Sequence, residues 1–297
     1  MLEFRPIDYA KDIDEVVSLI QKYLQPAYSK EFLIWKHLEN PFGTSYSMVA
    51  TFKGEIVGVL FYMRYDFYNK NGDCVKCIRP FDACTSPEMR GKGIFKKLMV
   101  ACLEKYKNDY QILLANPNAN SYPEFLKLGW KEPPGHNYVY KFGILNPSLK
   151  GNKGLFKDLQ PDENSGQILD SGSKFLVGNS LKFIQWRYKD PIYKIKKLLS
   201  GGSVVAIIVY RIDRIKGIKT IVLCDYYGES KLIQAALQYI LRKEGTVFIY
   251  FLLNSFTENI KPLAASTHKK ALIVFKENNY KLNEDIVISL GDLEGRL

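Results

Sequence analysis

Residues 80–106, from Pro80 to Tyr106, constrain this chain most, because they prescribe a strand, a tight loop and a helix in succession. The strand candidate runs from about Val75 to Thr85 and stops before Pro87, which has no N–H to give to a ladder. The loop is Arg90-Gly91-Lys92-Gly93. Apolar residues then recur at Ile94, Leu98, Cys102 and Tyr106, with Met99 and Leu103 beside them, which is one face of a helix. Glycines before a helix let consecutive N–H groups turn toward one point, and the helix N-terminus adds partial positive charge. Such a place holds a phosphate or pyrophosphate.

Two common phosphate motifs do not fit. A P-loop needs Ser or Thr after Gly-Lys to reach magnesium, and here Gly93 follows Lys92. A dinucleotide fingerprint needs a third glycine and an acid about twenty positions on, after a strand. Position 96 is Lys, and the next acids, Glu104 and Asp109, lie on or beyond the helix.

A second stretch narrows the reading. After the strand candidate Tyr110 to Ala115 comes Asn116-Pro117-Asn118-Ala119-Asn120-Ser121-Tyr122-Pro123-Glu124-Phe125-Leu126-Lys127-Leu128-Gly129-Trp130. Together the two stretches resemble the acyl-CoA loop and the later Asn-loop, helix, Leu-Gly-aromatic signature of the GNAT acyltransferase superfamily. In the first stretch Phe95 departs from the pattern, standing where the family has a small residue. The resemblance covers roughly the first 143 residues.

The resemblance implies an acetyltransferase with acetyl-CoA as co-substrate. By match, the backbone of Cys84, Thr85 and Ser86 meets the pantetheine and faces the oxyanion. Arg90, Gly91, Lys92, Gly93, Ile94 and Phe95 hold the pyrophosphate, and Asn116 and Asn120 complete the cofactor side. Cys84 reads as a small buried strand residue and not as a nucleophile. Asp82 is the candidate general base; the alternative is a strand-end aspartate paired with Arg79 or Arg64. The family's usual proton donor, a tyrosine four residues before the glycine, is Phe125 here. Tyr122 is the candidate substitute, or else an ordinary core aromatic. His37 and His136 are candidates to line the acceptor side.

The chain has 297 residues, enough for two domains. No run of about eighteen apolar residues appears, so no membrane span is expected. Met1-Leu2-Glu3-Phe4-Arg5-Pro6 does not read as a signal peptide. Five cysteines in a chain this long point to a reducing, cytoplasmic setting. Cys74-Val75-Lys76-Cys77 has no second pair and no histidine close in sequence, so it reads as structural and no metal is expected. The formal charge of +11 makes acidic partners plausible. No zinc-finger spacing or RNA-binding signature is present, so nucleic acid is not expected.

The second half repeats a pattern of the first. Phe32-Leu33-Ile34-Trp35-Lys36 with Asn40-Pro41 resembles Phe183-Ile184-Gln185-Trp186-Arg187 with Asp190-Pro191. Each is followed by strands, a helix and a further strand. The expected fold is therefore α/β: a GNAT fold, a mixed, mostly antiparallel sheet flanked by helices, present twice in tandem. The expected domains are 1–145 for acetyl-CoA, 146–166 as linker and 167–297 as a degenerate GNAT-like half. Where that half should carry a phosphate loop it reads Cys224-Asp225-Tyr226-Tyr227-Gly228-Glu229, whose acids would repel a pyrophosphate. The expected reaction moves an acetyl group to the primary amine of a small molecule such as an amino sugar. The rivals are a Fem-type aminoacyl transferase and a non-catalytic CoA- or partner-binding protein.

Overall fold

The structure, a computed structural model, describes residues 1–135, 137–146, 155–158, 173–178, 180–200, 203–283 and 285–293. In chain order the strands are β1 (Leu2–Pro6), β2 (Tyr46–Phe52), β3 (Glu55–Arg64), β4 (Phe67–Tyr68), β5 (Cys74–Val75), β6 (Cys77–Thr85), β7 (Ile112–Ala115) and β8 (Val139–Ile144). They continue as β9 (Leu155–Asp158), β10 (Leu176–Val177), β11 (Tyr193–Ser200), β12 (Ser203–Ile215), β13 (Ile218–Gly228), β14 (Phe248–Leu252), β15 (Ala264–Lys270) and β16 (Val274–Glu277). The helices are α1 (Tyr9–Tyr23), α2 (Lys30–Leu33), α3 (Ile94–Lys105), α4 (Tyr122–Lys127), α5 (Leu181–Arg187), α6 (Ile233–Glu244) and α7 (Leu290–Leu293). A π-helical turn, Ile34–Leu38, extends α2. Among the described residues no helix is long and apolar enough to cross a membrane.

The chain forms two compact units. The first contains Met1–Asp66, Lys76–Ala115 and Phe275–Lys281; the second takes the described parts of Phe67–Val75, Asn116–Val274 and Leu282–Leu297. The first is built on the sheet β1-β2-β3-β6-β7-β16. Pairing is antiparallel from β1 to β6, and β6 runs parallel to β7. Helix α1 starts at Asp8, whose side chain accepts from the Ala10 amide, and Asp12 in its first turn takes a two-pronged bond from Arg5. Its residues Ile13, Val16, Val17 and Ile20 recur at helical spacing and are buried with Val49, Val59 and Phe61 of the sheet.

The second unit holds a small sheet, β10-β4-β5, and a larger one, β15-β8-β14-β13-β12-β11-β9. The larger sheet is antiparallel except between β13 and β14, which are parallel. From β9 to β14 the strand senses therefore follow those of the first sheet from β1 to β7.

These units are not the contiguous domains 1–145 and 167–297 that the sequence suggests. Trp130 to Phe142, expected to close the first sheet, supplies β8, which pairs with β14 and β15 in the second unit. Ala271 to Phe275, expected to close the second sheet, leads into β16, at the β7 edge of the first. The period-2 pattern records which face of a strand is apolar; it carries nothing about which distant edge that strand will join. Residues 146–166, read as a linker, include strand β9 on β11; the rest of that stretch beyond Asn146 lies outside the described residues. Ile286 to Leu290, read as a closing strand, makes one bridge, Phe175–Ile286, and runs into α7.

Candidate active site

Strand β6 leads into the loop as the sequence implies. The Ser86 amide closes the strand on Val57 O at 2.9 Å, and Pro87–Met89 form one 3-10 turn. The Arg90 side chain folds back, its Nε donating to Thr85 O at 3.3 Å. Gly91 and Gly93 have φ of +74° and +70°, a region only glycine enters cheaply, and open space surrounds the Cβ position of each. Gly93 caps α3, whose first turn carries no acid. The first bond of that helix runs from the Lys97 amide to Gly93 O at 3.0 Å. The amides of Ile94, Phe95 and Lys96 thus have no acceptor within the helix. Ile94 is buried under Gly58, where a Cβ would come within 3.1 Å of Ile94 Cγ2, so Gly58 sets how closely α3 approaches the sheet. Phe95, in place of a small residue, is 45% exposed.

Beside the loop the sheet opens. The β6–β7 ladder consists of two pairs, Cys77–Ile112 and Ile78–Leu113, while β6 continues to Thr85. On its other edge β6 pairs Phe81 with Phe61 and Cys84 with Val59, so Asp82 and Ala83 together face Leu60. This is a β-bulge, and Asp82 sits in it with φ +47°. Cys84 is a buried strand residue as expected; its Sγ donates to Leu19 O at 3.7 Å, and burial raises its pKa.

The Asp82 carboxylate turns into the first unit. Oδ1 accepts from Lys36 Nζ at 2.9 Å, and Oδ2 accepts from Tyr28 Oη at 2.6 Å and meets His37 Nε2 at 2.8 Å. His37 Nδ1 lies 2.9 Å from Ser45 Oγ, and its ring stacks on Phe61 at 3.9 Å. Burial drives the His37 pKa down further than Asp82 raises it, so the ring is neutral. Nε2 then carries the proton and donates to Asp82, and Nδ1 accepts the Ser45 hydroxyl. Burial pushes the Asp82 carboxyl up, but the Lys36 charge and the bonds from His37 and Tyr28 outweigh it and hold the group well below the usual carboxylate range. The expected partners of Asp82 are engaged elsewhere. Arg79 stacks over Tyr65 and Phe81, and Arg64 pairs with Asp66 at 3.1 Å. Lys36 escapes a sequence reading because a lysine on a helix is ordinarily solvated; its signal is its place between Trp35 and His37 in an apolar run.

Tyr122, Asn116 and Asn120 belong to the second unit. The Tyr122 hydroxyl donates to Glu132, which also pairs with Lys270; that bond pushes the Tyr122 pKa up to about 12. Phe125 packs edge-on against the buried Trp130 at 4.9 Å. Asn116 Nδ2 donates to Leu293 O at 3.2 Å, and the Asn120 amide donates to Asn118 Oδ1 at 3.0 Å. His136 lies outside the described residues.

The second unit has a splay of its own. β13 and β14 share two pairs, Ile221–Ile249 and Val222–Tyr250, and β13 also bulges opposite Val209–Tyr210. Here the chain's own residues 287–292 fill the opening. Asn254 Nδ2 donates to Ile288 O at 2.9 Å, and Arg187 Nη2 donates to Gly291 O at 2.7 Å. Asp225 accepts from Tyr188 at 2.7 Å and Tyr227 at 3.0 Å. Ser289 donates to Asp292 through both its amide and its hydroxyl. What remains is a small cavity of about 20 Å³ lined by Asp225, Asn254 and Ser289 among others, room for one water.

Residues 3–132 match the family model of the acetyltransferase (GNAT) domain. No protein of curated function matches the sequence. Among solved structures, a GCN5-related N-acetyltransferase from Anabaena variabilis superimposes with a TM-score of 0.69 at 12% identity, covering 94% of this chain and 73% of that one. Eis1 from Mycobacterium abscessus gives 0.65 at 12% identity, covering 94% and 74%. The N-myristoyltransferase of Saccharomyces cerevisiae with bound myristoyl-CoA gives 0.57 at 12% identity, covering 96% and 80%.

Proposed function

We propose, on the match of residues 3–132 to the GNAT acetyltransferase domain, that the chain moves the acetyl group of acetyl-CoA to the primary amine of a small acceptor. One observation carries the reading: the amides at the start of α3 have no acceptor within the helix and follow the loop of Arg90 and Lys92, beside a strand that leaves its β7 partner after two pairs. The two glycines leave the cradle open, and no acid in the first turn opposes a pyrophosphate. The open edge from Cys84 to Ser86 suits the pantetheine and the developing oxyanion, since preformed donors stabilise that charge without reorganisation. A thiolate is a tolerable leaving group, so the reaction can proceed with Tyr122 engaged by Glu132. An amino sugar or nucleotide-linked amino sugar is the acceptor class to test first, the nucleotide-linked form being the one whose phosphates match the net charge of +11.

Gly93→Glu should weaken acetyl-CoA binding about tenfold or more, roughly 1.4 kcal/mol. It places a carboxylate at the cradle and a side chain at φ +70°. Calorimetry giving equal affinities for variant and parent would remove the loop from the site. A screen for CoA release across amines then identifies the acceptor. The commitment of Tyr122 and the presence of Phe125 favour one rival, a CoA-binding protein without turnover; binding without release for any amine would select it.

We also read the second unit as a degenerate copy of the first, on the shared strand senses and the second splay. Its opening is taken by residues 287–292 and bordered by Asp225. Titration should therefore give one acetyl-CoA per chain, and a stoichiometry of two would contradict the reading.

A further inference from the structure

We propose that Tyr28, Lys36 and His37 act through the Asp82 carboxylate as an anchor for the bulge of β6, which makes Asp82 a positioning residue and not the base of the transfer. The inference rests on the acetyltransferase reading and deepens it.

Three donors reach one carboxylate, and two come from neighbouring residues. Adjacent side chains on an α-helix point about 100° apart. The chain brings Lys36 and His37 to the same acid on a π turn, closed by the Glu39 amide on Ile34 O at 2.9 Å. Such turns are rare and are often kept at functional sites. Lys36 is sealed in: its side chain is 2% exposed, and its ammonium lies 4.5 Å from the Phe81 ring centre and 5.5 Å from that of Phe32. A general base must take up a proton in each turnover. Protonating Asp82 would remove the charge that this buried ammonium pairs with and would weaken the bonds from Tyr28 and His37. The arrangement resists protonation and favours a fixed carboxylate.

That carboxylate grips the residue at which the backbone departs from regular strand. Asp82 has φ +47°, a conformation that costs most residues energy and is more accessible to Asp and Asn. The extra residue shifts the register by one between Phe81–Phe61 and Cys84–Val59. The backbone of Cys84 to Ser86, which runs into the phosphate loop, is therefore placed by where Asp82 is held.

The test uses electroneutrality. Asp82→Asn keeps shape and φ preference but removes the negative charge that the buried Lys36 pairs with. Adding Lys36→Met removes the ammonium as well and puts an apolar chain between Phe32 and Phe81, and removing both members of a buried pair is commonly neutral. Calorimetry would use acetyl-CoA and its nucleotide end alone, 3′-phospho-ADP, which the loop should hold without the bulge. Asp82→Asn should lose about tenfold or more in acetyl-CoA affinity, and less in 3′-phospho-ADP affinity; the double variant should regain most of the loss. With an acceptor in hand, the double variant should also regain turnover and keep the parental pH profile. If Asp82 is the base, the double variant stays about a hundredfold or more slow, with a rate that climbs as the amine deprotonates unaided; that result overturns the proposal. Should Asp82→Asn not fold, the double variant alone still decides between the two. Parental binding with unchanged acetyl-CoA affinity in Asp82→Asn overturns the proposal and leaves the functional reading standing. A parent that binds neither ligand overturns both.

Discussion

Gly291→Ala is expected to destabilise the second unit by about 3 kcal/mol, the upper range for overpacking a tight site. A Cβ there would overlap Tyr188 Oη and stand 3.1 Å from Cys224 O. The second contact is backbone of β13 and cannot yield. Tyr188 is held too: its hydroxyl donates to Asp225, and its ring packs edge-on against Tyr193 at 4.9 Å. Either Tyr188 leaves Asp225, exposing a buried acceptor, or residues 289–292 lift from β13. Thermal melting measures the total, and hydrogen exchange locates it, with faster exchange at the Ser289 amide now bonded to Asp292. A parental melt with parental exchange would mean the segment is not seated on β13 as described.

Asp225→Asn should change the pH dependence of stability, and the sign follows from burial. Burial first, and then the Asp292 charge, push the Asp225 carboxyl up from 3.8 to about 7. Between those values the folded chain holds a proton at Asp225 that the unfolded chain has released. Stability from this group is full below the unfolded value and is lost as pH rises through the folded one, by up to about 1.4 kcal/mol per pH unit at its steepest. The groups facing Asp225 are Tyr188, Tyr227, Ser289 and Asp292. An asparagine accepts the same hydroxyl bonds and never ionises. The gap should therefore be small near pH 4, with the variant melting increasingly above the parent from pH 5 upward and the difference levelling off above pH 7. Parallel melting curves across that range would show that Asp225 is not the titrating group.

Local chemistry made the candidate loop legible. Pro87 ends a strand, Gly91 and Gly93 take positive φ, and the Ile94, Leu98, Cys102 spacing buries one face of α3. Each depends on residues close in sequence. Asp82 was legible as a carboxylate on the right strand, but its role was not, because Lys36 and Tyr28 lie 46 and 54 positions away. The same limit applies to Tyr122, whose partner Glu132 sets its acidity.

The sequence by itself determined the strand, glycine loop and α3 helix in succession, the apolar faces of the main helices and the absence of a phosphate loop near Asp225. These follow from backbone preference and periodicity, which act over a few residues. Only the tertiary structure decided that β8 serves the second sheet and β16 the first, that residues 287–292 fill the second splay, and that Asp82 is gripped by three donors. Strand edges, cleft fillings and buried charge pairs are settled by hydrogen bonds and desolvation between segments far apart in the chain, and no local pattern encodes which distant group will satisfy them.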